Sequence, residues 1–268
     1  MSELVSIITP CYNSGKFIAE TIKSVLNQTY QNWEMIIVDD CSTDNSVEMI
    51  KTFNDKRIKL YINDRNKGAA ISRNYALRKS KGKWIAFLDS DDLWYPDKLE
   101  KQIKFMKEKN YYFSYTNYIE INEDSIPNGK LITGPRILTK KSLNNYCYPG
   151  CLTVMYDAEK IGLVQINNLP KNNDYALWLK VIKKADCYLL PEILAAYRKR
   201  KGSISAHSYW KLVRYHYYLW KDGECKNITS AILFTIRNLI FGALKKTNYV
   251  KKYEIHQGGY NGKGFYYI

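Results

Sequence analysis

The chain has 268 residues, 46% hydrophobic and 25% charged, with no low-complexity tract, so it can bury a sizeable core and bulk disorder is excluded. Its six scattered cysteines exclude a disulfide framework, and the close pair Cys147/Cys151 has no second pair to make a structural zinc site. The net charge of +15 is uneven: residues 1–100 are neutral, 101–200 carry +7 and 201–268 carry +8, so the second half suits a polyanionic partner.

Leu4–Thr9 is a short apolar run ended by Pro10, the pattern of a buried strand. It is too short for a signal core and follows Glu3 rather than a basic stretch, so a cytoplasmic location is expected. Phe17–Leu26 has one apolar helix face. Trp33–Val38 reads as a second strand, ending at Asp39–Asp40, and Ser42–Thr43–Asp44 offers caps for a helix over 44–53. Ile58–Ile62 is a third strand, 69–79 a helix, and Trp84–Leu88 a fourth strand ending at Asp89. This alternation predicts an α/β fold, with a Rossmann-like, mostly parallel sheet flanked by helices. Farther on, strands are expected at Tyr112–Ile121 and Cys151–Tyr156, and an amphipathic helix over Asp174–Lys184. The expected organisation is one domain over 1–202, divided into halves over 1–110 and 111–202. A basic, aromatic-rich helical extension follows over 203–268.

Acidic residues stand at two strand ends: Asp39 and Asp40 after the second, and Asp89, Asp91 and Asp92 after the fourth. In an open parallel sheet these ends line the ligand crevice. Carboxylates gathered there repel one another unless a cation or ligand compensates. Mg2+ or Mn2+ carrying a diphosphate meets that need, because these ions take oxygen ligands and use few carboxylates. No Walker loop, no G-x-G-x-x-G after the first strand and no G-x-S-x-G elbow is present, and the three histidines all lie late.

Six stretches, VSIITPCYN (5–13), SVLNQTYQNWEMIIVDDCSTD (24–44), NKGAAISRN (66–74), GKWIAFLDSDDLWYPDKLEKQ (82–102), NDYALWLK (173–180) and YRKRKGSIS (197–205), occur in one order and spacing. Together they resemble the family 2 glycosyltransferases of the GT-A fold, and GCLTVMYD (150–157) adds similarity to wall- and capsule-polysaccharide members of the teichuronic-acid type. The resemblance implies an inverting, metal-dependent transfer of a sugar from a nucleotide diphosphate, UDP in many members, to a surface polysaccharide or lipid-linked glycan. It implies that Pro10, Tyr12 and Asn13 border the nucleotide, that Asp40 accepts from the base with Asp39 in support, and that Gly68 and Arg73 approach the ribose and pyrophosphate. Asp89 and Asp91 form its D-x-D, with Asp91 the direct ligand to Mn2+ or Mg2+, and Asp174 matches the catalytic base. Asn172 and Asn173 depart from the basic and acidic residues often found before the base. Arg200 stands where His is frequent; Arg cannot ligate a metal but can grip phosphate. Arg198 and Arg200 therefore read either as diphosphate contacts or as part of a solvated run, and Asp174 reads otherwise as a helix cap.

Residues 228–244 (ITSAILFTIRNLIFGAL) are apolar but short for a transmembrane span and contain Arg237. With Lys245, Lys246, Lys251 and Lys252 beside them, they suit an interfacial helix at the membrane surface; packing on the catalytic domain is the other reading. A non-catalytic nucleotide-sugar- or nucleic-acid-binding module is the competing function. No nucleic-acid motif appears, and the basic excess lies outside the neutral first half. A nucleotidyltransferase would need a Gly-rich basic loop where PCYNSGK stands.

Overall fold

The computed structural model describes residues 3–200 and 209–253. The nucleotide side runs β1 (Val5–Cys11), α1 (Ile18–Leu26), β2 (Trp33–Asp39), α2 (Ser46–Lys51), β3 (Ile58–Ile62), α3 (Ala69–Lys79) and β4 (Trp84–Phe87). β1 pairs in parallel with β2 on one side and β4 on the other, and β2 pairs with β3, giving the order β3-β2-β1-β4. Every residue of β1, β2 and β4 is buried. Alternation sorts their side chains onto two faces. Ile8, Ile36, Val38 and Phe87 join the core beneath α3, while Ile7, Met35, Ile37 and Ala86 join the core beneath α1 and α2. Burial on both faces is why these strands read as continuous apolar runs. The strand order reverses between β1 and β4, so the loops after β1, β2 and β4 open into one crevice.

β5 (Leu93–Trp94) and α4 (Lys98–Lys109) lead to the second half. It contains β6 (Phe113–Ile121), β7 (Pro127–Ile132), β8 (Ile137–Leu138), α5 (Lys140–Leu143), β9 (Met155–Asp157), α6 (Ala158–Ile161), α7 (Asn173–Val181) and β10 (Cys187–Arg198). Here the sheet changes character: β9 joins β4 and β6 antiparallel, β7 joins β6 antiparallel, and β10 runs parallel to β6. α7 lies on the core through Trp178, fully buried and edge-on to Phe87 at 5.0 Å between centroids. That contact holds the body of α7 against the sheet.

Four expectations change, the first being that the helix expected over Asp174–Lys184 is Asn173–Val181. Residues 151–156 are not one strand: Cys151–Thr153 form a 3-10 turn, because the Thr153 hydroxyl bonds back to Gly150 O and the Trp94 indole takes Leu152 O. β10 was not foreseen, since Pro191 and Glu192 interrupt its apolar run where the register with β6 shifts. The helix expected over 44–53 is only Ser46–Lys51; its N-cap is Asn45, and Asp44, one residue earlier, accepts from Ser46 N at 3.0 Å.

The C-terminal segment contains α8 (Tyr209–Tyr218), a π turn (Leu219–Gly223), α9 (Ile228–Asn248) and β11 (Val250–Lys252). Leu219, Trp220 and Ala231 belong to the same core as β1 and α7, and β11 pairs antiparallel with β7. The helical extension thus also carries a strand. The expected boundary at 202/203, the end of the YRKRKGSIS stretch, His207, His256 and the Gly/Tyr-rich ending lie outside the described residues.

Candidate active site

The crevice is walled by loops that its own acids organise. After β1, Asn13 takes a left-handed φ of 47° and its Oδ1 accepts from Thr43 N at 2.8 Å, which ties the β1 end to the loop after β2. Asp39 is fully buried, with Oδ2 accepting from Ser42 N at 2.9 Å. Asp40 Oδ1 accepts from Asn63 Nδ2 at 2.8 Å and Lys67 N at 2.9 Å, and its Oδ2 accepts from Gly68 N at 2.7 Å. The pair therefore spends most of its acceptor capacity holding the 41–43 and 63–68 loops. Pro10 is buried near the end of β1, while Tyr12 just beyond it is 45% exposed.

Gly68 precedes α3 at φ 89°, and a Cβ placed there would meet nothing within 4 Å. Its conformation needs glycine, and the space above its backbone is open to a ligand. One turn along α3, Arg73 is almost buried and pairs with Asp89, while its Nε has no partner among the described residues. Burial works against its charge, but Asp89 and, more weakly, Asp174 outweigh that and hold the guanidinium charged. One arginine thus stands within electrostatic reach of both the D-x-D and the expected base.

Asp91 pairs with Arg200, Nε to Oδ2 at 3.0 Å. Burial raises the Asp91 carboxyl pKa, Arg200 opposes the rise and Asp89 adds to it. Asp92 is buried behind them and accepts from Arg198 N at 2.8 Å; burial, then Asp91 and Asp89, push its pKa well up. Among the described residues no three acidic, His or Cys side chains form a ready cation cage. Asp89 and Asp91 supply two hard oxygen donors, a set that suits Mg2+ or Mn2+ once diphosphate oxygens complete the shell.

Arg198 corrects the sequence reading. Its side chain is fully buried and all of its guanidinium nitrogens are engaged: Nε donates to Asp91 O at 2.7 Å, Nη1 to Ser125 Oγ and Glu123 O, and Nη2 to Glu20. It holds the D-x-D backbone in place, and with its side chain sealed from solvent it is out of a phosphate's reach. Arg200, with 28% of its side chain exposed, remains at the crevice.

Asp174 sits in the first turn of α7, half-buried, with Oδ1 accepting from Tyr175 N at 2.8 Å. The cap position itself is Asn172, in the left-handed region, and Asn173 accepts from Leu169 N at 3.0 Å. The two asparagines thus shape the turn that presents Asp174. Lys171, Lys245 and the loop residues Tyr146 and Cys147 all feel the Asp174 charge. Lys245 was not singled out from the sequence as a site residue. It lies seventy-one residues after Asp174, and only the packing of α9 brings it near.

A Rossmann-like sheet with a D-x-D after β4 and an aspartate opening a helix across the crevice defines a glycosyltransferase of the GT-A fold. The chain belongs to glycosyl transferase family 2, whose profile matches residues 6–158. It is 42% identical over 224 residues to the putative teichuronic acid biosynthesis glycosyltransferase TuaG of Bacillus subtilis, covering 82% of this chain and 88% of that one. It is 43% identical over 213 residues to the UDP-Glc:alpha-D-GlcNAc-diphosphoundecaprenol beta-1,3-glucosyltransferase WfgD of Escherichia coli, covering 79% and 83%. In fold it resembles S. aureus TarS 1–349 in complex with UDP-GlcNAc, with a TM-score of 0.68 at 20% identity over 92% of this chain and 74% of that one. It also resembles a Pyrobaculum calidifontis mannosyltransferase in complex with GDP-Man and Mn2+, with a TM-score of 0.62 at 16% identity over 91% and 76%.

Proposed function

We propose that the protein transfers a sugar, with inversion, from a UDP-sugar to a diphosphate-linked lipid glycan at the cytoplasmic face of a membrane. The observation that supports this reading is Arg73, which pairs with Asp89 and also feels the charge of Asp174, so that one cation links the D-x-D to the candidate base. The relatives' acceptor and the UDP complex of the structural neighbour support the choice of substrates.

Tyr12 and Asn13 border the base, and Asp40 offers it the remaining lone pair of Oδ2 while Asp39 braces the loop. The open backbone of Gly68 admits the ribose and pyrophosphate, and Arg73 and Arg200 donate to the phosphate oxygens. Asp89 and Asp91 would hold Mn2+ or Mg2+, which when bound neutralises charge building on the departing diphosphate. Asp174 accepts the proton of the acceptor hydroxyl as its oxygen bonds to the anomeric carbon and the carbon–diphosphate bond breaks. Attack opposite the leaving group inverts that carbon.

The membrane placing rests on α8 and α9. Trp210 is 79% exposed, and α9 turns Ile232, Leu233, Ile236 and Ile240 outward. Residues 209–253 hold nine Lys/Arg against two Asp/Glu, a composition that suits an anionic lipid surface. The α9 inner face packs on the core, so the membrane reading concerns its outer face alone.

The test is a screen of nucleotide sugars for donor hydrolysis with Mn2+ present, then transfer to acceptors. Turnover of a UDP-sugar that is unchanged by exhaustive chelation would remove the metal, and no turnover of any UDP-sugar would remove the donor assignment.

A further inference from the structure

The inner face of α9 follows the loop after α5 almost residue by residue. Asn238, fully buried, donates to Asn144 O at 3.1 Å and Asn145 O at 2.7 Å. One turn on, Gly242 lets the Tyr146 ring approach so closely that a Cβ would lie 2.8 Å from Tyr146 Cε2. Another turn on, Lys245 Nζ donates to Tyr148 O at 3.2 Å and, more loosely, to Cys147 O at 3.4 Å. Asn238 also reaches Tyr175 OH at 3.3 Å, next to Asp174 in the chain. Positions 238, 242 and 245 share one helix stripe. The C-terminal helix therefore builds the wall beside the base.

That stripe ends in a cation. The Lys245 ammonium stands 5.3 Å from the Tyr146 ring centroid and has three N–H donors, two of them turned to carbonyls. Among the described residues no carboxylate lies within ion-pair distance of it, and Asp174 is the acid that acts on it. Burial works against its charge. A half-buried ammonium without an ion pair is costly unless an anion completes it. Asp174 acts on it only at a distance, and its charge acts on Arg73 and Lys171 as well.

We propose that Lys245 is a specificity residue that recognises the phosphate groups of a diphosphate-linked acceptor, at the side of Asp174 away from the donor diphosphate. This rests on the acceptor class proposed above. It gives α9 two tasks: its outer face meets the lipid surface and its inner face reads the anionic link between lipid and glycan.

The experiment compares two acceptors on the full chain: GlcNAc carried on an alkyl chain through a diphosphate, and GlcNAc linked directly to the same chain. The readout is the ratio of kcat/KM between them. In the wild type the ratio favours the diphosphate. Lys245→Gln removes the charge but leaves an N–H donor on a side chain one bond shorter, and lowers the ratio about tenfold or more. Lys245→Arg keeps the preference. If Lys245→Gln slows both acceptors equally, or leaves the ratio alone, the lysine is structural and the inference is overturned. A wild type that uses both acceptors without preference overturns it too, while the transferase reading stands. A wild type that uses neither removes the acceptor class, and this inference with it.

Discussion

Arg200 occupies Asp91, the second carboxylate of the D-x-D, with its Nε 3.0 Å from Oδ2. The ion pair opposes, without cancelling, the rise in pKa that burial and Asp89 impose on this carboxyl. A divalent ion is the further positive charge that the proposed donor turnover would bring to it. Asp91→Ala is expected to lower metal-stimulated donor hydrolysis about a hundredfold or more without loss of thermal stability. Paired activity and unfolding curves check this; a variant that unfolds early would give Asp91 a structural role instead.

Asp174→Asn keeps the size of the side chain and its contact with Tyr175 N, but cannot take a proton. Transfer should fall about a hundredfold or more while donor affinity stays near normal. Near-normal transfer in this variant, measured with donor binding on the same preparation, would take Asp174 out of the mechanism.

Arg198→Met should act on the fold before the chemistry. It leaves the carbonyls of Asp91 and Glu123 without their buried donor and takes from Glu20 its ion pair, leaving it only Ser125 Oγ. The expected cost is about 3 kcal/mol or more, seen as a shift in the denaturant midpoint. A stable protein with weakened donor affinity alone would return Arg198 to the diphosphate.

His216 on α8 is buried, and burial, aided by Lys171 and opposed by a contact with Asn238, lowers its pKa to about 4. In the unfolded chain it titrates near 6.5. Between those values the unfolded state binds a proton that the folded state refuses. Stability is thus full above about pH 6.5 and falls as pH drops, by about 2 kcal/mol at pH 5. Denaturation at pH 7 and pH 5 should show this slope in the wild type and its loss in His216→Gln.

Replacing Ile232 and Ile236 together with Glu should release the protein from anionic vesicles and leave its unfolding midpoint unchanged, since both side chains are exposed. Sedimentation with the vesicles is the readout, and undiminished binding would place membrane contact elsewhere. Truncation before Ile228 is a poorer test, because it removes Asn238, Lys245 and β11 as well.

The nucleotide half was legible because each element there is set locally: apolar runs end at Asp39 and Asp89, and periodic helices lie between them. The strand of Ile58–Ile62 and the helix of 69–79 agree with the structure residue for residue. The acceptor half was less legible because its strands depend on distant partners. β10 carries Pro191 at a register shift with β6, and β11 is three residues whose pairing with β7 no local pattern announces. At the site, residue type singled out the acids but not their geometry. Arg198 and Arg200 are two positions apart in the same basic run, yet one is sealed inside and the other stands at the crevice. Lys245 was hidden for the same reason: nothing in a helix of mostly apolar residues says which neighbour its one inward lysine will meet.

The pairing of β11 with β7 also has a consequence for synthesis. During translation β7 emerges with β6 covering one edge and nothing covering the other, and it stays that way until Lys252 has left the ribosome. An open strand edge is a template for pairing with other chains. Nascent molecules stalled or cut before β11 should therefore be recruited by chaperones or aggregate, even with the whole D-x-D half already folded. A tag or fusion that hinders residues 250–252 would harm yield more than one at the other end of the chain.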